Sequence, residues 1–197
     1  AASAPSVNAP SADELKNVRY VVKEKGTSTD LLDGKPWTEA LTLPVDKTYV
    51  IEAYYGENSF DAAYFYGSKE VTIKALETII PVCTLKVSNS LLCISTDPVK
   101  EHFTFSEAVL TSGDMSKHIT SVDTWTFVPA DSELTVVIKG TAASTGKAMT
   151  PVTHKLTPEA SKAYNLICGK DEDNWPTITF SLNTEEAWAS RIYITTP

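Results

Sequence analysis

The side chains best suited to chemistry in this 197-residue sequence are three histidines, His102, His118 and His154, three cysteines, Cys83, Cys93 and Cys168, and an acidic run near residue 170. The histidines are widely separated, and none has a second His or Cys at a spacing that closes a zinc site. They read as surface or loop residues. The run Gly169-Lys170-Asp171-Glu172-Asp173-Asn174-Trp175 offers carboxylate and amide oxygens of the kind calcium takes from one loop. It lacks the loop-closing glycine and distal glutamate of an EF-hand, so a solvated hairpin turn accounts for it better. Glu185 and Glu186 are adjacent, point to opposite faces in extended chain and cannot act together as acid and base. No nucleophile elbow, phosphate-binding loop, dinucleotide fingerprint or Cys-x-x-Cys pair occurs. The expectation is a protein that is not an enzyme and has no catalytic residues, metal or cofactor.

Aromatic side chains carry more information. Tyr54, Tyr55, Phe60, Tyr64, Phe65 and Tyr66 crowd into YYGENSFDAAYFYG, and consecutive rings in extended chain cannot all face one core. Some must be exposed or lie at a domain edge. Flat rings with hydroxyls suit stacking on sugars or contact with another protein, which makes Tyr54, Tyr64 and Tyr66 the candidate ligand platform. The competing reading is that the cluster covers the open end of a first sandwich. Trp37, Trp125, Trp175 and Trp188 are dispersed and read as core anchors. Three cysteines allow at most one bridge, and Cys83 and Cys93 sit in the apolar runs IIPVCTL and SLLCIS, so buried thiols are expected.

The elements that must position these residues are strands, because the dominant period is two. Val18, Tyr20 and Val22, then Leu134, Val136 and Ile138, then Ile178, Phe180 and Leu182 each alternate with a second set of residues. The same pattern marks residues 47–55, 69–75 and 190–196, with further strands expected near 38–43, 77–82, 85–96, 104–111, 121–128, 150–156 and 162–168. Turns are expected at Asp33-Gly34-Lys35-Pro36, Gly56-Glu57-Asn58-Ser59, Gly67-Ser68, Ser112-Gly113-Asp114, Pro129-Ala130-Asp131 and residues 169–174. Helix is confined to a turn or two at residues 96–103, with Asp97 as cap and Pro98 in the first helical position. Short, evenly spaced strands with polar turns predict an all-β chain of two tandem immunoglobulin-like or transthyretin-like β-sandwich domains. The expected layout is an Ala/Ser/Pro tether at residues 1–14, a first sandwich at 15–83 and a second at 84–197.

Composition agrees with a folded chain. Hydrophobic residues make up 42% and charged residues 21%, enough to bury a core. The net charge of −8 makes nucleic acid and bare anionic membrane poor partners. No apolar run is long enough for a transmembrane segment. Ala, Ser and Pro fill ten of the first twelve positions, a weakly structured composition with neither the basic nor the apolar region of a signal peptide.

The segments Leu43-Pro44, Thr48–Ala53, Ala63–Ile73 and Pro81–Val87, with Asp97–Phe103, Ala163-Tyr164-Asn165 and Arg191–Ile194 in the second half, resemble a Bacteroidales family of secreted lipoproteins. That family is a domain of unknown function, similar in style to fimbrillin-like surface proteins. The resemblance spans residues 15–197, with Tyr66-Gly67-Ser68-Lys69-Glu70 in its most specific block. It implies an exported, cell-surface or outer-membrane protein held by a lipid anchor outside the given chain, which has no lipobox cysteine. The expected function is a non-catalytic structural or adhesive module, pilus-like or accessory, with another surface protein as partner. The alternative is a glycan-binding component of a polysaccharide-uptake system.

Overall fold

Alternation along β1 (Arg19–Glu24) and β3 (Lys47–Tyr55) buries Tyr20 and Val22 on one strand and Tyr49, Ile51 and Ala53 on the other, leaving the intervening residues on the opposite face. Antiparallel pairing of β1 with β3, and of β3 with β4 (Phe65–Ile73), merges these buried faces into one surface. With β2 (Asp30–Lys35), β5 (Thr84–Val87) and β14 (Tyr193–Thr195), the strands form a six-stranded sheet in the order β14-β5-β4-β3-β1-β2. The computed structural model describes residues 3–35, 37, 40–171, 178–185, 188 and 193–195.

Much of the cover on the sheet's buried face is irregular chain: Ala4 and Val7 from the N-terminal segment, Trp37 and Leu41, Ile79, and the 2%-exposed Trp188. Within residues 3–14, expected as part of a tether, Ala4 and Val7 pack in this cover. Pro5 accepts a hydrogen bond from Trp188 Nε1 at 2.7 Å, and Ser11 and Glu14 close a reciprocal capping box on α1 (Ala12–Leu15).

The rest of the chain forms two four-stranded sheets. One has the order β11-β10-β7-β8, with β7 (Phe103–Ser112), β8 (Met115–Ile119), β10 (Leu134–Ala142) and β11 (Val152–Leu156). The other has the order β13-β12-β6-β9, with β6 (Ser90–Ser95), β9 (Trp125–Val128), β12 (Ala163–Lys170) and β13 (Ile178–Glu185). A second core between them holds Leu92, Ile94, Leu110, Leu134, Ile138 and Leu166. β6 pairs parallel with β12 and antiparallel with β9, and all six of its residues are buried, as expected of a central strand covered on both faces. The architecture is nearly all-β, in keeping with the β-sandwich class. The boundary expected between residues 83 and 84 falls where the chain enters β5, and both β5 and β14 add to the first sheet.

Several local expectations are corrected. Residues 30–35 form an edge strand where a turn at Asp33-Gly34 was expected, because two irregularities in the β1–β2 register absorb the turn-forming residues. Gly67 lies inside β4 and not in a turn; a β-carbon there would run into the carbonyl oxygen of Thr84, so the close approach of β5 requires glycine. Residues 85–96 divide into β5 and β6 at Ser88-Asn89, and 77–82 are not a strand. β8, with its exposed sequence MSKHI, carries too little alternation to be read from sequence. Near residue 97 the helix is a single 3-10 turn, Asp97–Val99; Thr96, not Asp97, holds the N-cap position, without a side-chain cap bond, and Asp97 pairs with Lys100 at 3.3 Å. Residues 38 and 39 and the terminal residues of the 190–196 prediction lie outside the described residues.

Candidate functional site

Strand register decides where the aromatic cluster goes. On β3 and β4, Ala53 and Phe65 point into the first core, so the next residues along, Tyr54 and Tyr66, point outward. Tyr54 and Tyr66 are direct cross-strand partners, which places both rings side by side on the outer face. Tyr64, two residues before Tyr66, joins them with a ring-centroid distance of 6.2 Å and a tilt of 35° to the Tyr66 ring. All three predicted platform residues therefore converge on one partly exposed patch.

The neighbours of this patch fix its geometry. Tyr66 donates its hydroxyl hydrogen to Glu52 Oε1 at 3.0 Å, and Lys23 Nζ lies 3.5 Å from the same carboxylate oxygen. Partial burial, then the Glu52 hydrogen bond and charge, push the Tyr66 phenol up to about 12. Burial followed by the proximity of Tyr54 and Glu52 raises the Tyr64 phenol. Tyr64 and Tyr66 thus present neutral phenols at ordinary pH. Backbone N–H of Tyr64 is held at 3.1 Å by Oδ1 of Asn89, a fully buried residue whose Nδ2 donates to the Ala62 carbonyl at 2.8 Å.

The other aromatics of the cluster serve packing. Tyr55 donates to Glu14 Oε2 at 2.8 Å, tying β3 to α1. Phe60 crosses to the second core, where it is 4% exposed. Asn58 anchors the same loop: its Nδ2 donates to the Ala130 carbonyl at 3.0 Å and its Oδ1 accepts from the Ala130 N–H at 2.9 Å. The sequence reading missed this division of labour, and the missing signal was strand phase: Phe65 in phase with the core, Tyr64 and Tyr66 out of phase.

Elsewhere the chemistry-bearing residues stay apart. His118 Nδ1 lies 3.0 Å from Glu107 Oε2, with Lys139 3.3 Å from the other oxygen, and these contacts hold the exposed Glu107 carboxyl below its ordinary range. The His154 ring packs 5.1 Å from Phe180, and burial lowers its pKa. Cys83, Cys93 and Cys168 are buried and form no disulfide. Burial pushes Cys93 up to about 11 and Cys168 to about 12. Among the described residues no three of His, Cys, Asp or Glu converge on a metal position. The acidic run beyond Asp171 lies outside those residues. A cavity of about 620 Å³ opens beside the first core, lined by Trp37, Leu41, Leu43, Ile73, Leu76 and Ile79 among others. Among the described residues no helix is long and apolar enough to cross a membrane.

The sequence profile of a family described as Domain of unknown function (DUF4493) matches residues 10–196. The chain belongs to this family. No curated protein matches its sequence. The DUF4493 chain is similar to three solved structures at low identity. A candidate cell adhesion protein from Bacteroides eggerthii is 10% identical with a TM-score of 0.46, covering 86% of this chain and 88% of that one. A second, from Bacteroides fragilis, is 11% identical with a TM-score of 0.35, covering 91% and 92%. A fimbrial assembly protein from Parabacteroides distasonis is 10% identical with a TM-score of 0.43, covering 89% and 93%.

Proposed function

We propose that this DUF4493 chain is a non-catalytic structural or adhesive module of the cell surface, exported and held by a lipid anchor outside residues 1–197, and that it makes contact through the outer face of its six-stranded sheet. The observation that carries the reading is the convergence of Tyr54, Tyr64 and Tyr66 on that face. Aromatic rings with polar tips give large contact area at low entropic cost, and a sheet holds them rigidly. The organisation into two sandwich units belongs to the same proposal; the contact face lies on the first unit, at its end nearest β6.

A second reading, glycan binding in a polysaccharide-uptake system, is favoured by the phenols themselves. Three phenol rings offer flat apolar faces to pyranose C–H groups and hydroxyls to their rims. A broad glycan array probed with the folded protein separates the two readings. A hit that competes with free sugar and disappears in the Y54A/Y64A/Y66A variant supports glycan recognition. A blank array beside an intact fold removes it and leaves the structural or protein-binding role.

A further inference from the structure

The outer face of the six-stranded sheet is organised in rows, and its charges are segregated between them. Across β1, β3, β4 and β5 the first row runs Arg19, Tyr54, Tyr66, Lys86, each residue a direct cross-strand partner of the next. The second row runs Asp33, Val21, Glu52, Ser68, and the third Asp30, Lys23, Val50, Glu70. Every carboxylate of these three rows sits in the second or third. The first row carries cations alone, one at each end of the tyrosine pair.

Those two cations are available. Arg19 and Lys86 are exposed and, among the described residues, neither has an ion-pair partner. The nearest carboxylate row is partly neutralised by the contact of Glu52 with Lys23. The net charge of −8 does not cancel this local arrangement, because charges beyond a Debye length of about 8 Å are largely screened at physiological salt. With strands about 4.8 Å apart, the three gaps from Arg19 to Lys86 span roughly 14 Å, the length of a short oligosaccharide.

We propose that this row is a binding site for an anionic glycan, whose sugar faces lie on Tyr54, Tyr64 and Tyr66 and whose acidic groups meet Arg19 and Lys86 at the two ends. The proposal rests on the glycan reading above and adds its chemical class. A neutral sugar would leave both terminal cations unmatched. An acidic one gains charge-assisted hydrogen bonds at each end, with the planar Arg19 guanidinium suited to bidentate contact with a carboxylate.

Calorimetric titration of the full chain tests it, using a panel of uronate and sulfated oligosaccharides and their neutral counterparts. The expected result is binding of at least one acidic probe and weaker binding of its neutral counterpart. R19Q and K86Q should each lower affinity about tenfold or more, with unchanged melting temperature. Y54A/Y66A should abolish binding. If a neutral probe binds as tightly as its acidic counterpart and R19Q and K86Q have no effect, while Y54A/Y66A still abolishes binding, the anionic class is overturned and the glycan reading stands. If no probe binds, or Y54A/Y66A binds as the parent does, both are overturned.

Discussion

Replacing Phe60 with alanine tests whether the β3–β4 loop staples the six-stranded sheet to the core between the two four-stranded sheets. Phe60 is 4% exposed in a core otherwise built from β6, β7, β8, β9, β10, β12, β13 and the 3-10 turn at Val99, although its own loop springs from the first sheet. A buried Phe→Ala change removes about 3–5 kcal/mol through lost transfer energy and the cavity left behind. A loop can follow the shrinking side chain in part, so the lower end, about 3 kcal/mol, is expected here. With a urea m-value of about 3 kcal/mol/M, the unfolding midpoint should fall by about 1 M without a change in slope. Trp37, Trp125 and Trp188 all pack at the first core, so in a W175F background tryptophan fluorescence follows that core while far-UV circular dichroism follows both. The two probes should move together, because Leu91 of β6 and Ala163 of β12 are also buried in the first core. A loss below about 1 kcal/mol, or a fluorescence midpoint that stays put while the dichroism midpoint falls, would refute the reasoning.

Three further outcomes follow from the same contacts. G67A should destabilise the fold by about 1–3 kcal/mol, read as a lower denaturation midpoint, because a β-carbon there collides with the Thr84 carbonyl. Thiol titration of the native protein should find Cys93 and Cys168 unreactive at neutral pH and all three cysteines reactive after denaturation, since burial holds the thiols protonated. Because the Tyr66 phenol is raised in the fold to about 12 from 10.0, its contribution is fully present below pH 10 and is lost as pH rises toward 12. Phenolate absorbance should therefore show a late-titrating group that Y66F removes.

Much of the architecture was legible because alternation with a buried face leaves a strong mark. β3 matches its expected residues 47–55, and β10 extends the run seen at Leu134–Ile138. What escaped was set by tertiary contact. β2 is an edge strand whose Asp33-Gly34 reads as a turn, and only the bulged register with β1 shows otherwise. Residues 85–96 were read as one strand although the polar run Ser88-Asn89-Ser90 marks a break, and Asn89 is buried there to hold the Tyr64 backbone and the Ala62 carbonyl. The helical capping box at Ser11 and Glu14 was visible in the residues but outweighed by the Ala/Ser/Pro composition around it. At the candidate site, residue types identified the tyrosines. The flanking Arg19 and Lys86 lie far from them in sequence, and only strand pairing brings the four into one row.

The most direct measurement is an amide-resolved NMR titration of the isotopically labelled chain with a glycan that the array identifies. The account predicts shifts concentrated at Arg19, Glu52–Tyr54, Tyr64–Ser68 and Lys86, on the outer face of β1, β3, β4 and β5. Shifts centred instead on the cavity at Leu41, Ile73 and Ile79, or on the two four-stranded sheets, would contradict it.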